Sequence, residues 1–285
     1  MPSLIDIRRR IRSVKSTQQI TRAMKLVSAA KLRRAQDRVL SSRPYSAMLV
    51  KLLADVAQAA KGDERLAHPL LAERPGQRIQ LILITADRGL AGAFNSNLIK
   101  AAQQFLLEHQ GREVGMETIG RKGRDFFRKR HRSISGEQVG MTEKATYAHA
   151  AEAAKKVSER FAAGEIDAVY LLYNEFKSVM AQRLMVERIL PVALPPEAER
   201  IDFIFEQPPA EMLDKLLPRY VEIAIYQALL ESGAAQQAAR MTAMDAATTN
   251  AAEMIGNLTL YMNRVRQASI TREIIEVVSG AAGVE

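Results

Sequence analysis

Two long terminal segments of the 285-residue chain contain almost none of the residues that interrupt a helix. Residues 4–58 are predicted to form one helix, in which glycine is absent and Pro44 alone should cause a kink or a short break. The last proline is Pro218, and residues 211–279 are predicted to form a second, nearly continuous helix. At a rise of about 1.5 Å per residue, such helices would extend roughly 80 and 100 Å, much longer than ordinary globular helices.

Apolar residues recur along both segments at the spacing of paired helices. In the first segment, Ile7, Ile11 and Val14 are followed in a shifted phase by Ile20, Met24 and Val27. In the last segment, alternating steps of three and four connect Met244, Ala247, Ala251, Met254, Leu258, Tyr261, Val265 and Ala268. This heptad period predicts that the last helix supercoils with a partner, and the first helix is the partner at hand.

The middle of the chain has a different pattern, in which β-type apolar runs alternate with helical stretches. The predicted strands are 77–85, 113–120, 166–174 and 181–191, and the predicted helices are 95–109, 121–131 and 143–163. Alternation of this kind predicts an α/β domain with a largely parallel, Rossmann-like sheet. We therefore predict a mixed fold. A long antiparallel coiled coil of residues 1–60 and 209–285 would carry an inserted α/β domain, residues 77–206.

Positive charge is concentrated in the first helix. The chain has a net charge of +9, and residues 1–60 contain 13 Lys and Arg against three acids, whereas residues 206–285 contain six against ten. A basic stripe of this density favours binding of an acidic partner over a merely solvated face. Nucleic acid, an acidic membrane surface and an acidic protein all fit this charge.

Most kinds of active site are excluded by composition. The chain has no cysteine, which rules out disulfides, thiolate metal sites and cysteine nucleophiles. Its four histidines are scattered, no catalytic dyad or triad is evident, and no run of about 20 apolar residues could span a bilayer. The start of the chain lacks the apolar stretch of a signal peptide, so we expect a protein on the cytosolic side.

Two short motifs could still bind a ligand. The turn TADRGLAGAFN follows a predicted strand and opens a helix, as a phosphate-binding loop does, but it lacks GxGxxG and GxxxxGK[ST]. A tight turn is the favoured interpretation, with Asp87 and Arg88 in a local salt bridge or a partner contact. The segment RKGRDFFRKRHR weakly suggests RNA binding, and an amphipathic helix with Phe126 and Phe127 in the core is favoured.

Three separated segments resemble one family, the ATP synthase gamma subunits of bacterial type. They are IRRRIRSVKSTQQITRAMKLVSAAKLRRAQ near the start, the turn TADRGLAGAFN, and ESGAAQQAARMTAMDAATTNAAEMIGNLTLYMNRVRQASITREIIEVVSGAAG at the end. The resemblance implies a non-catalytic rotor shaft without a cofactor, which couples c-ring rotation to the beta-subunit sites of a proton-translocating ATP synthase. It also implies three alpha and three beta subunits, the epsilon subunit and the c ring as partners. The location would be peripheral, on the cytoplasmic face of the bacterial inner membrane.

The resemblance also implies roles for individual positions. The implied contacts with the beta subunits are Arg22, Met24, Lys25, Arg240, Arg266, Gln267 and Thr271. The implied rotor-foot contacts toward the c ring are Phe203, Phe205 and Glu206. The implied apolar bearing at the tip consists of Ile274, Ile275, Val277 and Val278.

Two other functions remain open from the residues alone. A nucleic-acid-binding coiled coil would use the basic first helix as a phosphate track and would bind with steep salt dependence. A nucleotide-dependent enzyme would need a phosphate loop and acid–base groups in the α/β domain, and neither is convincing.

Overall fold

The computed structural model describes residues 3–59, 68–130, 134–193 and 206–282, with side chains described to residue 279 at the C-terminal end. The chain divides into two compact units. The first unit comprises Met1–Ser28 and Met241–Glu285, and the second comprises Ala29–Arg240. Both terminal helices contribute to both units. The predicted division into two coiled-coil helices, residues 1–60 and 209–285, and an α/β domain, residues 77–206, remains a prediction.

Helix α1 spans Leu4–Ala59 and helix α5 spans Pro209–Ala282, as the absence of helix breakers predicts. The break predicted at Pro44 does not occur, because α1 is helical throughout. Proline removes the hydrogen bond to the carbonyl four residues earlier, here that of Leu40. Since Leu40 and Pro44 both lie on the exposed side of the helix, water can hydrate that carbonyl.

The second unit contains a five-stranded sheet in the order β3-β2-β1-β4-β5. Strands β1 to β4 are parallel, and β5 is antiparallel to β4. The strands are β1 (Arg78–Ile84), β2 (Glu113–Ile119), β3 (Ile134–Gln138), β4 (Ala168–Phe176) and β5 (Gln182–Leu190). The intervening helices are α2 (Phe94–Glu108), α3 (Arg121–Arg128) and α4 (Tyr147–Ala162). The predicted Rossmann-like domain between two long helices is confirmed.

The composition of each strand explains whether the sequence predicted it. The central strand β1, RIQLILI, is buried at every position after Arg78, as expected for a parallel strand covered on both faces. The edge strand β3, ISGEQ, has no fully buried residue and was not predicted, because its composition is that of a polar loop. Its strand geometry depends on pairing with β2, which sequence periodicity does not reveal.

The main hydrophobic core of the second unit joins the sheet to both long helices. Leu53 and Val56 near the end of α1, Phe161 of α4 and a row of α5 residues from Leu213 to Leu229 share one buried cluster with β1, β4 and β5. The predicted burial of Phe127 is confirmed, at 2% exposure. Phe126 is half-buried instead, and the Arg130 guanidinium lies 3.7 Å from its ring centroid.

A close backbone contact fixes the carboxyl ends of β1 and β2. Gly120 has φ of 105°, and a Cβ atom there would lie 2.1 Å from the carbonyl oxygen of Thr85. The Thr85 hydroxyl in turn accepts a hydrogen bond of 2.9 Å from the Gly123 amide at the start of α3. Glycine is therefore required at position 120 for both its conformation and its lack of a side chain.

We predict that Gly120→Ala destabilises the chain by more than about 3 kcal/mol, because left-handed strain adds to the clash with backbone. The matched control is Gly111→Ala, where φ is 95° and nothing lies within 4 Å of the added Cβ. That variant should lose only about 1–2 kcal/mol, from conformational strain alone. Urea unfolding of the two variants measures the difference, and equal losses would contradict the steric argument.

Candidate functional site

The two helices of the first unit pair through a seam on α1 that keeps a single heptad phase. Ile7, Thr21 and Ser28 are buried, and the half-buried side chains between them are Ile11, Val14, Gln18, Met24 and Lys25. The shifted phase predicted for Ile20 and Val27 is wrong, since these side chains are 57% and 56% exposed. Between residues 20 and 28, Thr21 and Ser28 take the buried positions, and Ile20 and Val27 point outward.

On α5 the predicted heptad period is confirmed, but three of the eight predicted seam positions are displaced by one residue. The correctly predicted seam positions, all buried or half-buried, are Met244, Ala247, Ala251, Leu258 and Val265. The remaining positions are Thr248, Ile255, Met262 and Ser269, whereas the predicted Met254 and Tyr261 are 45% and 42% exposed and Ala268 is exposed. Steps of three and four from the same starting residue give two possible phases, and contact with α1 selects one of them.

Polar side chains join the two helices at the centre of this pairing. The hydroxyl oxygens of Thr21 and Thr248 are 2.8 Å apart, and Lys25 Nζ donates to Asp245 Oδ1 at 2.6 Å. Polar contacts between two paired helices help to fix the register, because sliding by one turn would separate Thr21 from Thr248 and Lys25 from Asp245. This layer therefore aligns α1 with α5 at the level of residues 21–28.

The predicted beta-contact residues of α1 lie beside this polar layer. Arg22 is exposed and Met24 is half-buried. The Lys25 side chain is 39% exposed and already paired with Asp245. Arg22 and part of Met24 are thus directly available to a partner, whereas Lys25 would share its charge with Asp245.

Arg240 belongs to the second unit, and its side chain is only 7% exposed. Its Nη1 donates to Glu143 Oε1 at 3.2 Å and to Gln237 Oε1 at 3.3 Å. The predicted contact of Arg240 with a beta subunit would therefore have to compete with Glu143.

The other predicted contacts on α5 are fully accessible. Arg266, Gln267 and Thr271 are exposed, and the Thr271 hydroxyl donates to the Gln267 carbonyl at 2.9 Å. Every described side chain from Ile270 to Ser279 is exposed. The predicted bearing residues are among the most exposed apolar side chains, with Ile274 and Ile275 at 58%, Val277 at 72% and Val278 at 62%.

The predicted rotor-foot residues lie at the edge of the described chain. Glu206 is exposed. Phe203 and Phe205 lie outside the described residues.

The turn after β1 is filled by the chain's own polar groups. Asn95 Oδ1 accepts from the Ala86 amide at 3.0 Å, and Asp87 Oδ1 accepts from the Arg121 amide at 3.1 Å, at the start of α3. The Asp87 carboxylate thus caps the N-terminus of α3, whereas α2, the helix that this turn opens, has no side chain that caps its N-terminal end. Among the ion pairs of the described residues, none joins Asp87 to Arg88.

The described residues contain neither a metal-binding cluster nor a helix that could span a membrane. No group of three or more His, Cys, Asp or Glu in the described ranges could hold a metal ion. No helix in the described part of the chain is long and apolar enough to cross a membrane.

Comparison with known proteins agrees with this arrangement. A family model described as ATP synthase matches residues 3–284. The ATP synthase gamma chain of Solibacter usitatus (strain Ellin6076) is 64% identical over 286 residues, covering 100% of both chains. The chain belongs to the ATP synthase gamma chain family. The gamma chain of Pelotomaculum thermopropionicum is 54% identical over 289 residues, again covering 100% of both chains.

Solved rotor structures share the fold. A chain of the central stalk and c-ring of the Tetrahymena thermophila mitochondrial ATP synthase matches 80% of this chain and 99% of its own length, with a TM-score of 0.63 and 25% identity. A chain of the Euglena gracilis mitochondrial ATP synthase matches 99% of this chain and 94% of its own, with a TM-score of 0.70 and 18% identity.

Membership in the gamma chain family decides between the functions left open by the sequence. A gamma chain is a non-catalytic subunit of the central stalk, and the catalytic sites lie in the beta subunits. The predictions of a rotor shaft and of a protein that is not itself an enzyme are confirmed. The alternative of a nucleic-acid-binding coiled coil finds no support in the comparisons.

Sequence reasoning missed the polar groups that fix the helix pairing. Thr21, Thr248 and Asp245 were not predicted, although a threonine at heptad spacing from Ile7 and Val14 was a usable signal. Glu143, which accepts from both Lys31 and Arg240, was also missed. No local pattern marks it, because its partners are 112 and 97 residues away in sequence.

We predict that Thr21→Val and Thr248→Val are coupled. The single variant Thr21→Val should destabilise the paired helices by about 1 kcal/mol, because it removes one of the two hydroxyls of the contact. The double variant should be close to the parent in stability, since two valines of similar shape replace the bonded pair.

Thr17→Val is the matched control, because Thr17 is exposed and its hydroxyl bonds only to the Ser13 carbonyl of its own helix. Thermal unfolding followed by the helical circular dichroism signal gives the coupling free energy. Strictly additive effects of the two substitutions would contradict a direct contact.

Proposed function

We propose that the paired helices turn inside a ring of three alpha and three beta subunits and drive conformational change at the beta-subunit sites for ATP synthesis. In this proposal residues 1–60 and 209–285 form the shaft. Residues 77–206 form the foot, which binds the epsilon subunit and turns with the c ring. The Tetrahymena and Euglena chains that share this fold belong to central-stalk and rotor assemblies, which supports these partners.

The observation that carries the proposal is the apolar exterior of the helix pair in the first unit. Large apolar side chains are exposed on both helices, although the seam between them is closed. They include Ile5 at 68%, Ile20 at 57%, Leu26 at 64%, Val27 at 56%, Leu260 at 62% and Ile270 at 48%. Exposed apolar area of this extent indicates a surface that another protein covers. A surrounding sleeve of subunits fits, because these residues lie on several sides of the pair.

Two sets of residues on the shaft would make contacts whose strength depends on the rotation angle. Arg22, Met24 and Lys25 would approach an acidic lever segment of a beta subunit, where attraction between opposite charges favours one orientation. Arg266, Gln267 and Thr271 would contact a beta-subunit loop nearer the tip. Arg240 would join these contacts if a beta-subunit carboxylate displaced Glu143.

The tip and the foot of the shaft would serve different mechanical purposes. The apolar residues Ile274, Ile275, Val277 and Val278 would form a bearing at the tip, where weak contacts without direction break easily at each step. Phe203, Phe205 and Glu206 would face the c ring at the foot. Binding to the membrane would be peripheral and only through the complex, on the cytoplasmic face of the bacterial inner membrane.

Coupling follows from differential binding. Each beta subunit exchanges between open and closed states, and the face of the shaft that it meets favours one state over the other. Rotation presents these faces in sequence, so the three sites change state in turn. The shaft does work only through the difference between its contacts with the two states.

Co-expression with alpha and beta subunits tests the assembly. We expect a complex that contains three alpha, three beta and one copy of this chain by native mass spectrometry. Strong binding of the free chain to DNA, with steep salt dependence and without such a complex, would instead support the nucleic-acid alternative.

The polar contacts near the tip are tested by substitution. We predict that the pair of changes Arg266→Ala and Gln267→Ala lowers ATP synthesis in membrane vesicles by about tenfold, because charge-assisted hydrogen bonds contribute on the order of 1.5–3 kcal/mol. The control Arg112→Ala removes an exposed arginine from the second unit and should leave synthesis unchanged. Normal synthesis by the double variant in fully assembled complexes would refute these contacts.

A further inference from the structure

One short segment of the second unit is bound at both of its ends. On the sheet side, Asp87 at the carboxyl end of β1 accepts from the Gly140 amide at 2.9 Å and from the Thr142 hydroxyl at 2.7 Å. The same carboxylate accepts from the Arg121 amide at the start of α3. Asp87 therefore attaches the segment Gly140–Glu143 to β1 and α3 together.

On the helix side, Glu143 is held by one cation from each long helix. Its Oε2 accepts from Lys31 Nζ of α1 at 2.7 Å, and its Oε1 accepts from Arg240 Nη1 of α5 at 3.2 Å. Partial burial raises the pKa of Glu143, but the hydrogen bonds and charges of Lys31 and Arg240 outweigh it and lower the pKa overall. The carboxylate thus stays ionised and links the two helices at neutral pH.

The same segment also makes a close backbone approach to α5. A Cβ atom at Gly233 would lie 3.1 Å from the Thr142 carbonyl oxygen, a distance tighter than ordinary contact. Thr142 itself is 3% exposed. The segment is therefore wedged between the sheet and α5 rather than lying free on the surface.

Its position along α5 gives this segment mechanical leverage. The α5 residues in the main hydrophobic cluster end at Leu229. The contacts with Gly233 and Arg240 extend the attachment of the sheet along α5 by about 11 residues, or roughly 16 Å. Together with the hydrogen bond from the Phe176 amide of β4 to Glu231, a second point of attachment at this distance adds to the resistance of the core against twisting of the helices relative to the sheet.

We propose that Gly140–Glu143 is a torque brace, which transmits twist between the α/β domain and the two long helices, with Asp87 and Glu143 as its positioning residues. The inference rests on the proposed function, since torque passes through this chain only if it turns as a shaft. Neither residue contacts a nucleotide or a partner in this role. Both act by keeping the sheet and the helices in one rotational alignment.

Hydrogen exchange tests whether the brace loosens. Asp87→Asn should accelerate exchange of the Gly140 amide by about tenfold, because that amide would lose a charge-assisted acceptor. The Gly120 amide, which donates to the Gln138 carbonyl at 2.8 Å, is the internal reference and should be unchanged. Unaltered exchange at Gly140 would overturn the proposal, because the bond would then contribute nothing.

Torsional stiffness tests what the brace does. The chain has no cysteine, so Arg112→Cys provides one exposed attachment point for a probe on the α/β domain. In stalled complexes with alpha and beta subunits, Asp87→Asn and Glu143→Gln should each broaden the angular distribution of the probe. In membrane vesicles that carry the whole ATP synthase, the same variants should lower proton pumping per ATP hydrolysed. Glu137→Gln is the matched control, because it removes the same charge from an exposed position on β3.

The outcomes separate this inference from the proposed function. Suppose that the Gly140 amide exchanges faster, but that Asp87→Asn and Glu143→Gln give the same angular distribution as Glu137→Gln. The segment would then have a structural role only, and the brace would be overturned. Failure of the parent chain to assemble with alpha and beta subunits would refute the proposed function itself. Broader distributions in fully assembled variants of unchanged thermal midpoint would establish the brace.

Discussion

The antiparallel pairing of α1 with α5 is the interaction on which the rest of the structure depends. Neither helix could bury its apolar stripe alone, and helices in proteins gain most of their stability from packing against other elements. In the first unit the seam between them is nearly the whole interior. In the second unit the same two helices also provide Leu53 and the row from Leu213 to Leu229, which pack on the sheet.

The seam and the outer surface of the helix pair differ in composition, because the seam must hold the two helices together and the outer surface must release its partners. Thr21, Ser28 and Thr248 take seam positions among larger apolar residues such as Ile7 and Leu258, and the contact between the two threonine hydroxyls helps to fix the register. The large apolar residues Ile20 and Val27 face outward, where an enclosing partner can cover them. A shaft needs both features, because its own helices must not slip while its outer surface must release each partner in turn.

The second unit has the architecture of a nucleotide-binding fold without its ligand chemistry. The turn after β1 directs Asp87 to the N-terminus of α3, and the same carboxylate holds Gly140–Glu143. The carboxylate is thus used for an internal attachment. This use of Asp87 explains how a Rossmann-like domain can serve a mechanical protein whose catalytic chemistry lies in other subunits.

The sequence by itself determined the elements and their periods. Helix breakers are rare in both terminal segments, apolar runs mark the central strands, and the heptad steps of α5 are present whatever α5 packs against. Only the tertiary structure decided the phase of the seam, because Met254 and Ile255 satisfy the same period and contact with α1 chooses between them. The strand β3 and the partners of Glu143 were likewise decided by residues distant in sequence. Pairing of a polar edge strand and closure of a salt bridge over about a hundred residues leave no local pattern, since their energies arise only when the chain has folded.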